Sequence, residues 1–203
     1  MRRRTTSLAL VLGMIAALVT VIGSVAIAQT TNAQLAFVNG ASTDPVTVTA
    51  NGTEVATDLA FAAASAPAVF PSGDYEIAFS DGAGLTTPVP PATAWTVVSG
   101  YGDDEGTAQA YPVVIEEIGA GEARVAVWNA TTETQLISFN GSDPFELLAG
   151  EGLEPQTVPA DTEVTVQVGE APTPISFTPA EDNYIDAFVV TDGTDVAVAQ
   201  SVI

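Results

Sequence analysis

The chain has 203 residues, with 25 Asp and Glu against four Lys and Arg, a formal net charge of −21, and neither histidine nor cysteine. So few cations exclude nucleic-acid binding, which needs charge against phosphate, and docking on an anionic membrane surface. The absence of cysteine excludes disulfide staples, so a packed core has to hold the fold, and 47% hydrophobic residues can supply one.

The first residues read as an export signal. Arg2, Arg3 and Arg4 form a basic start, Leu8 to Ile22 is an uncharged apolar run, and Ala26-Ile27-Ala28 is an A-x-A cleavage pattern. Residues 1–28 are therefore expected to be a signal peptide. The same run is almost long enough for an uncleaved anchor, but the polar Gln29-Thr30-Thr31-Asn32 behind it favours cleavage. Paired arginines followed by these residues fit the twin-arginine motif poorly, and without a cysteine there is no lipoprotein site. All 25 acids lie beyond residue 28, with Arg124 as the lone cation, so the exported portion carries −24. Such a chain repels itself, and salt relieves the repulsion. That composition suits a saline or calcium-rich exterior, and it equally serves plain solubility. Localisation is expected to be secreted or cell-surface.

Residues 33–118 and 123–203 say nearly the same thing twice. AQLAFVN at 33–39 matches ARVAVWN at 123–129, Asn51-Gly52 falls near Asn140-Gly141, and Pro71-Ser72 falls near Pro159-Ala160. Trp95 to Val98 falls near Tyr184 to Ala187, Gly102-Asp103-Asp104 near Thr191-Asp192-Gly193, and Thr107 to Ala110 near Val196 to Ala199. Order and offset persist along the whole chain, so two copies of one domain are expected, 29–118 and 123–203, with 119–122 as the linker.

Each copy reads as β. Val46 to Thr49 alternates apolar and polar, then meets Asn51-Gly52, a two-residue hairpin signal. Tyr75, Ile77 and Phe79 share one face of a strand, with Asp74 and Glu76 on the other. In the second copy Val164, Val166 and Val168 do the same, one residue further from the preceding proline. A one-residue slip would turn every side chain over, so the second copy should carry one extra residue in that turn. Asp58 to Ala66 fits a single helical turn, an edge strand or a loop. Short strands, many turn residues and no amphipathic helix give the expected class: all-β, two tandem immunoglobulin-like or prealbumin-like β-sandwich domains.

The stretch Phe70 to Phe79 (FPSGDYEIAF) resembles the "VPAGTYTVAV" segment of a family of secreted bacterial domains, the domain of unknown function 4397. The opening strand, Asn51-Gly52, Asp58 to Phe61 and Ala94 to Val98 fit its layout, and the second copy is more divergent. The family's usual His-Ala-Ser-Pro-like opening is here Asn39-Gly40-Ala41-Ser42, so any role of that histidine is missing. The resemblance implies an exported, often tandem sandwich and no activity.

Chemistry is sparse. Nucleophilic triads lack a base, zinc lacks its usual Cys and His ligands, and no lysine completes a phosphate loop. Carboxylates alone would serve a glycoside hydrolase, which needs two facing across a cleft, but domains of this size leave little room for one. We expect no enzyme. Calcium is the site-level candidate, because it takes carboxylate and carbonyl oxygens. Asp103, Asp104 and Glu105 sit in one glycine-flanked loop, and Asp192 and Asp195 at the equivalent place in the second copy. Asp and Gly also make plain turns there. Trp95 and Trp128 suit sugar stacking or core packing. If Leu35 and Phe37 face inward, so do Val125 and Val127, which leaves Trp128 facing out or into a domain junction, a candidate binding or interface residue. Asn51, Asn129 and Asn140 head N-x-[ST] sequences that serve as glycan acceptors or as turns. Arg124 should pair with a carboxylate or bind a ligand.

The expected role is a structural, adhesive or interaction module with extracellular protein or glycan partners, and homo-assembly through edge strands is open to it. A calcium- or carbohydrate-binding module is the alternative. Apart from possible Ca2+, no cofactor is expected.

Overall fold

A computed structural model describes residues 32–100, 107–113, 117–169 and 174–203. The expected signal peptide, residues 1–28, lies outside the described residues. Sixteen strands and no helix occupy the described chain. No helix there is long and apolar enough to cross a membrane.

The strands form four sheets of four, arranged as two sandwiches. In the first, β2 (Val46–Ala50), β3 (Thr53–Leu59), β5 (Gly73–Phe79) and β6 (Gly84–Val89) make the outer sheet, in the order β3-β2-β5-β6. Its partner sheet holds β1 (Asn32–Val38), β4 (Ala68–Pro71), β7 (Ala94–Ser99) and β8 (Ala108–Val113), in the order β4-β1-β7-β8. The second sandwich repeats the plan. Its outer sheet has β10 (Gln135–Phe139), β11 (Phe145–Leu147), β13 (Val164–Val168) and β14 (Ile175–Phe177), in the order β11-β10-β13-β14. Its partner sheet has β9 (Glu122–Asn129), β12 (Gly152–Pro159), β15 (Tyr184–Thr191) and β16 (Val196–Val202), in the order β12-β9-β15-β16. In each copy the first strand runs parallel to the seventh, β1 beside β7 and β9 beside β15, among otherwise antiparallel pairs.

Period-two patterning fixes which face is buried. In β2 and β13 every second residue is buried, and in β5 Ile77 and Phe79 point inward while Asp74 and Glu76 stay exposed. Leu35, Phe37 and Val97 meet Val46, Val48, Ile77 and Phe79 to form the first core. Val127, Ala187 and Val189 meet Ile137, Val166 and Val168 in the second. The hairpins turn on Asn51-Gly52 and Asn140-Gly141, where both residues of each pair have positive φ, as a type I′ turn demands. Asn51 Oδ1 accepts from the Glu76 N–H at 2.8 Å, and Asn140 Oδ1 from the Thr165 N–H at 2.9 Å. The side chains thus tie each turn to the strand on the other side in the sheet, β5 or β13.

Register refines the internal alignment. Val48 pairs with Phe79, and Ile137 with Val168, so these strands correspond at an offset one greater than the prolines Pro71 and Pro159. The second copy carries its extra residue in the Ala160–Glu163 turn, where Asp161 takes a φ of 56°. Leu35 lies beside Trp95 and Val125 beside Ile185, so Trp95 corresponds to Ile185 and not to Tyr184. The last strands also correspond one residue later than the sequence alignment placed them, with Tyr111 equivalent to Ser201. Sequence similarity cannot see the ladder that fixes these pairs. Asp58 to Ala66 is no helical turn: β3 ends at Leu59, and a turn then brings Ala64 to bridge Val38.

The partner sheets are covered on both sides. β15 is buried from Tyr184 to Val190, and β7 is buried at all positions but Trp95. Their second faces meet each other. Val38, Val98, Tyr111, Ala130, Phe188, Val190 and Ala199 form one apolar cluster between the sandwiches, and Ala94, Val113, Ala126 and Tyr184 another. The molecule is therefore a stack of four sheets with three apolar layers. β7 faces β15, β8 faces β9, and β1 lies across from β16. That is the pattern of an approximate two-fold axis relating the copies.

Candidate functional site: a buried carboxyl group between the sandwiches

Asp186 lies at the centre of the junction with no exposed surface. β15 places it there by alternation, since Tyr184, Asp186 and Phe188 share the face that meets the first sandwich. Its neighbours in the sheet are small, Ala126 on β9 and Ser201 on β16, which leaves room for the carboxyl group. Trp128 Nε1 donates to Oδ1 at 2.9 Å. From the opposite sandwich, Thr96 Oγ1 stands 3.5 Å from Oδ2 and 3.2 Å from Ser201 Oγ. Thr96 and Ser201 are themselves fully buried.

An indole and one distant hydroxyl are poor replacements for water around a charge, because a carboxylate accepts about four hydrogen bonds. Burial therefore pushes the Asp186 carboxyl up to about 7, and the bonds from Trp128 and Thr96 pull it only part of the way back. Tyr111 of β8 packs its ring 5.1 Å from that of Trp128 and 5.0 Å from that of Phe188, closing the site on one side. Arg124, half-buried, is the cross-strand neighbour of Tyr184 on β9.

Trp128 is thus an interior residue of the junction, packed against Tyr111 and bonded to Asp186. Trp95 packs at the edge of the first core, and its Nε1 donates to Thr93 Oγ1 at 3.0 Å. Asp103, Asp104 and Glu105 lie outside the described residues. Asp192 and Asp195 lie on the exposed turn between β15 and β16. Asp192 Oδ1 accepts from the N–H groups of Thr194 and Asp195, both at 2.8 Å. The Asp195 N–H, and next the Thr194 N–H, hold the Asp192 carboxyl below its usual range. Thr191 Oγ1 donates to the Asp195 carbonyl at 2.9 Å, so the turn closes with its own side chains. Beside it a cleft of about 290 Å³ is lined by Thr131, Glu133, Gln135, Thr191 and Thr194, among others. Among the described residues no three of His, Cys, Asp and Glu gather where they could hold a metal ion.

The other buried polar residues include Asn39 and Asn129, which occupy matching positions in the two copies. Asn39 and Asn129 end β1 and β9 with no exposed surface. Asn39 Nδ2 donates to the carbonyls of Ser42 and Leu59 at 2.9 and 3.0 Å, and its Oδ1 accepts from the Ser42 N–H at 2.9 Å. Asn129 Nδ2 donates to the carbonyls of Glu133 and Leu147 at 2.7 and 2.9 Å, and its Oδ1 accepts from Thr131 N–H and O–H at 3.0 and 2.7 Å. Each closes the loop after the first strand of its copy. Asn129, buried and fully bonded, is not open to a glycan in the folded chain.

A family model, domain of unknown function (DUF4397), matches residues 33–140. The chain belongs to that family. The DUF4397 match runs from β1 through β10, across the linker and into the second sandwich, and so includes Asn39, Thr96, Tyr111, Trp128 and Asn129. Asp186 and Ser201 lie beyond the DUF4397 match, on the far side of the junction. No curated relative matches the chain.

Proposed function

We propose that this protein is an exported, non-catalytic structural, adhesive or interaction module of the cell surface or extracellular space. The use of its buried polar side chains is the observation that carries the reading. Asn39 and Asn129 fasten loops, Thr96, Ser201 and Trp128 join the two sandwiches around Asp186, and Asp192 closes its own turn. Polar groups spent on backbone and on the junction make a stiff, acid-coated body, suited to presenting a surface. The Arg2–Ala28 stretch supports export, and the −24 charge beyond it suits a saline exterior.

One observation favours a second reading, a calcium- or carbohydrate-binding module. The cleft beside the Asp192–Asp195 turn offers hydroxyls, a carboxylate and an amide. Thermal unfolding of residues 29–203 separates the two. The structural reading expects the melting temperature to rise smoothly with ionic strength, the same in calcium as in matched magnesium. A rise specific to calcium and reversed by a chelator would replace it with the binding reading. Export is checked separately by sequencing the N-terminus of the secreted protein, with Gln29 expected first. Retention of residues 1–28 in a membrane fraction would make the segment an anchor.

A further inference from the structure

We propose that the junction between the two sandwiches is a pH-operated clasp, closed while Asp186 is protonated and loosened when it ionises. Three observations carry it. The carboxyl group is sealed between sheets that belong to different sandwiches, and its partners come from both: Thr96 from the first and Trp128 from the second, with Ser201 of the second sandwich bonded to Thr96. The layer around it is otherwise apolar, with Val98, Tyr111, Phe188 and Ala126 closest in register or packing. Its described partners are all neutral. A charge placed there regains hydration only where the sheets part.

The groups facing Asp186 do not supply that charge's counterpart. β7 brings Thr96 between Ala94 and Val98, and β8 brings Tyr111. β16 brings Ser201 and, at the rim, Ile203, whose backbone oxygen accepts from the Tyr184 N–H. β9 brings Trp128 and, one pleat away, Arg124 beside Tyr184. Burial brings the change of state of Asp186 to around neutrality. Because its folded value is raised, docking is tight in mild acid and weakens as pH rises through neutrality. Parting the sheets exposes the apolar cluster, which opposes opening. Ionisation therefore shifts the balance between closed and loosened forms without separating the chain's halves outright.

The test uses residues 29–203 with Trp95→Phe, which leaves Trp128 as the reporter. Its emission, and the Asp186 carboxyl carbon resonance, are followed from pH 5 to 9. A single shared midpoint near 7 is expected. Amide exchange in β7, β8, β9 and β15, corrected for intrinsic rate, should quicken on the order of tenfold between the ends of that range, as opening becomes less costly. Asp186→Asn should flatten the emission curve and keep acid-like protection at pH 9. Emission that is flat in the parent, or that still titrates in Asp186→Asn, overturns the clasp. Should Asp186→Asn fail to fold, Thr96→Val gives the decision: loss of a bond that favours the ionised form must move the midpoint upward, and an unchanged midpoint refutes the proposal.

Discussion

Asn39 and Asn129 are the sharpest test of how this fold is held. Alanine at 39 removes two well-made donor bonds, to Ser42 and Leu59, and one acceptor bond from Ser42, all between 2.9 and 3.0 Å. At about 1–1.5 kcal/mol per bond, the loss comes to ~3–4.5 kcal/mol. Asn129→Ala removes four bonds of 2.7 to 3.0 Å and should cost somewhat more, ~4–6 kcal/mol by the same rule. Aspartate is the informative comparison, because it keeps the shape. Its second oxygen would replace the amide nitrogen and face the carbonyls of Ser42 and Leu59, so the charged form is repelled and desolvated. Asn39→Asp must therefore hold its proton in the folded state. Its raised folded pKa means that its stability falls as pH climbs above the usual carboxylate value. Urea unfolding of residues 29–203, followed by far-UV circular dichroism at pH 4 and pH 7, reads both effects. The reasoning fails if both alanine variants lose less than ~1 kcal/mol, or if Asn39→Asp matches the parent at pH 7.

Asp186→Asn isolates the linkage of the buried acid. The folded value near 7 stands above the ordinary 3.8. The parent's share of stability from this group is therefore complete below about pH 4, drains as the unfolded state ionises, and levels off above about pH 7. Roughly three pH units amount to about 4 kcal/mol. The stability gap between Asp186→Asn and parent should widen by that order from pH 4 to 8 in chemical unfolding, and a constant gap would show that the carboxyl is solvated. Gly152 tests the wall behind Trp128. A Cβ built there runs into the six-membered ring of the Trp128 indole, so Gly152→Ala should displace the ring, weaken its bond to Asp186 and cost ~1–3 kcal/mol. In a Trp128→Leu background the same change should cost much less, and equal costs in both backgrounds would place the strain elsewhere.

The fold was legible where alternation and turn chemistry speak locally. Val46 to Ala50, Asp74 to Phe79 and Val164 to Val168 each have one buried face, and Asn-Gly marks the hairpins without ambiguity. The extra residue before β13 could be counted from which valines must point inward. The site was not legible in the same way, for a physical reason. A strand covered on both faces loses its alternation, and Tyr184 to Val190 (YIDAFVV) carries no period from which a direction could be read. A signal was present all the same. A single acid inside an apolar strand must either break the strand or be buried with it, and only the second keeps β15 intact. The place of Trp128 next to the inward-facing Val127 leaves it either outside or in the junction. Which of the two applied depended on the facing sheet of the first sandwich, and so did the neighbourhood of Asp186, which meets Thr96 from 90 residues away in sequence.

Why the chain repeats some residues and not others follows from where each one acts. Asn39 and Asn129, Asn51 and Asn140, and Leu35 and Val125 work inside their own copy, so equal surroundings ask for equal or similar side chains. Positions at the junction work across the axis. Val38 is equivalent to Trp128, Tyr111 to Ser201, and Thr96 to Asp186. Two identical sheets meeting about that axis would set Trp128 against Ser201 on both sides, or Val38 against Tyr111 on both sides, and would set Asp against Asp at the centre. Two carboxyl groups a few ångströms apart in an apolar layer cannot both ionise and gain little when neutral. Threonine on one side and aspartate on the other resolves this, because one hydroxyl can serve both the acid and Ser201. One rim is filled by the pair Trp128 and Tyr111. At these junction positions the copies differ where complementarity requires difference. A sequence comparison that scores only likeness between the copies passes over these positions.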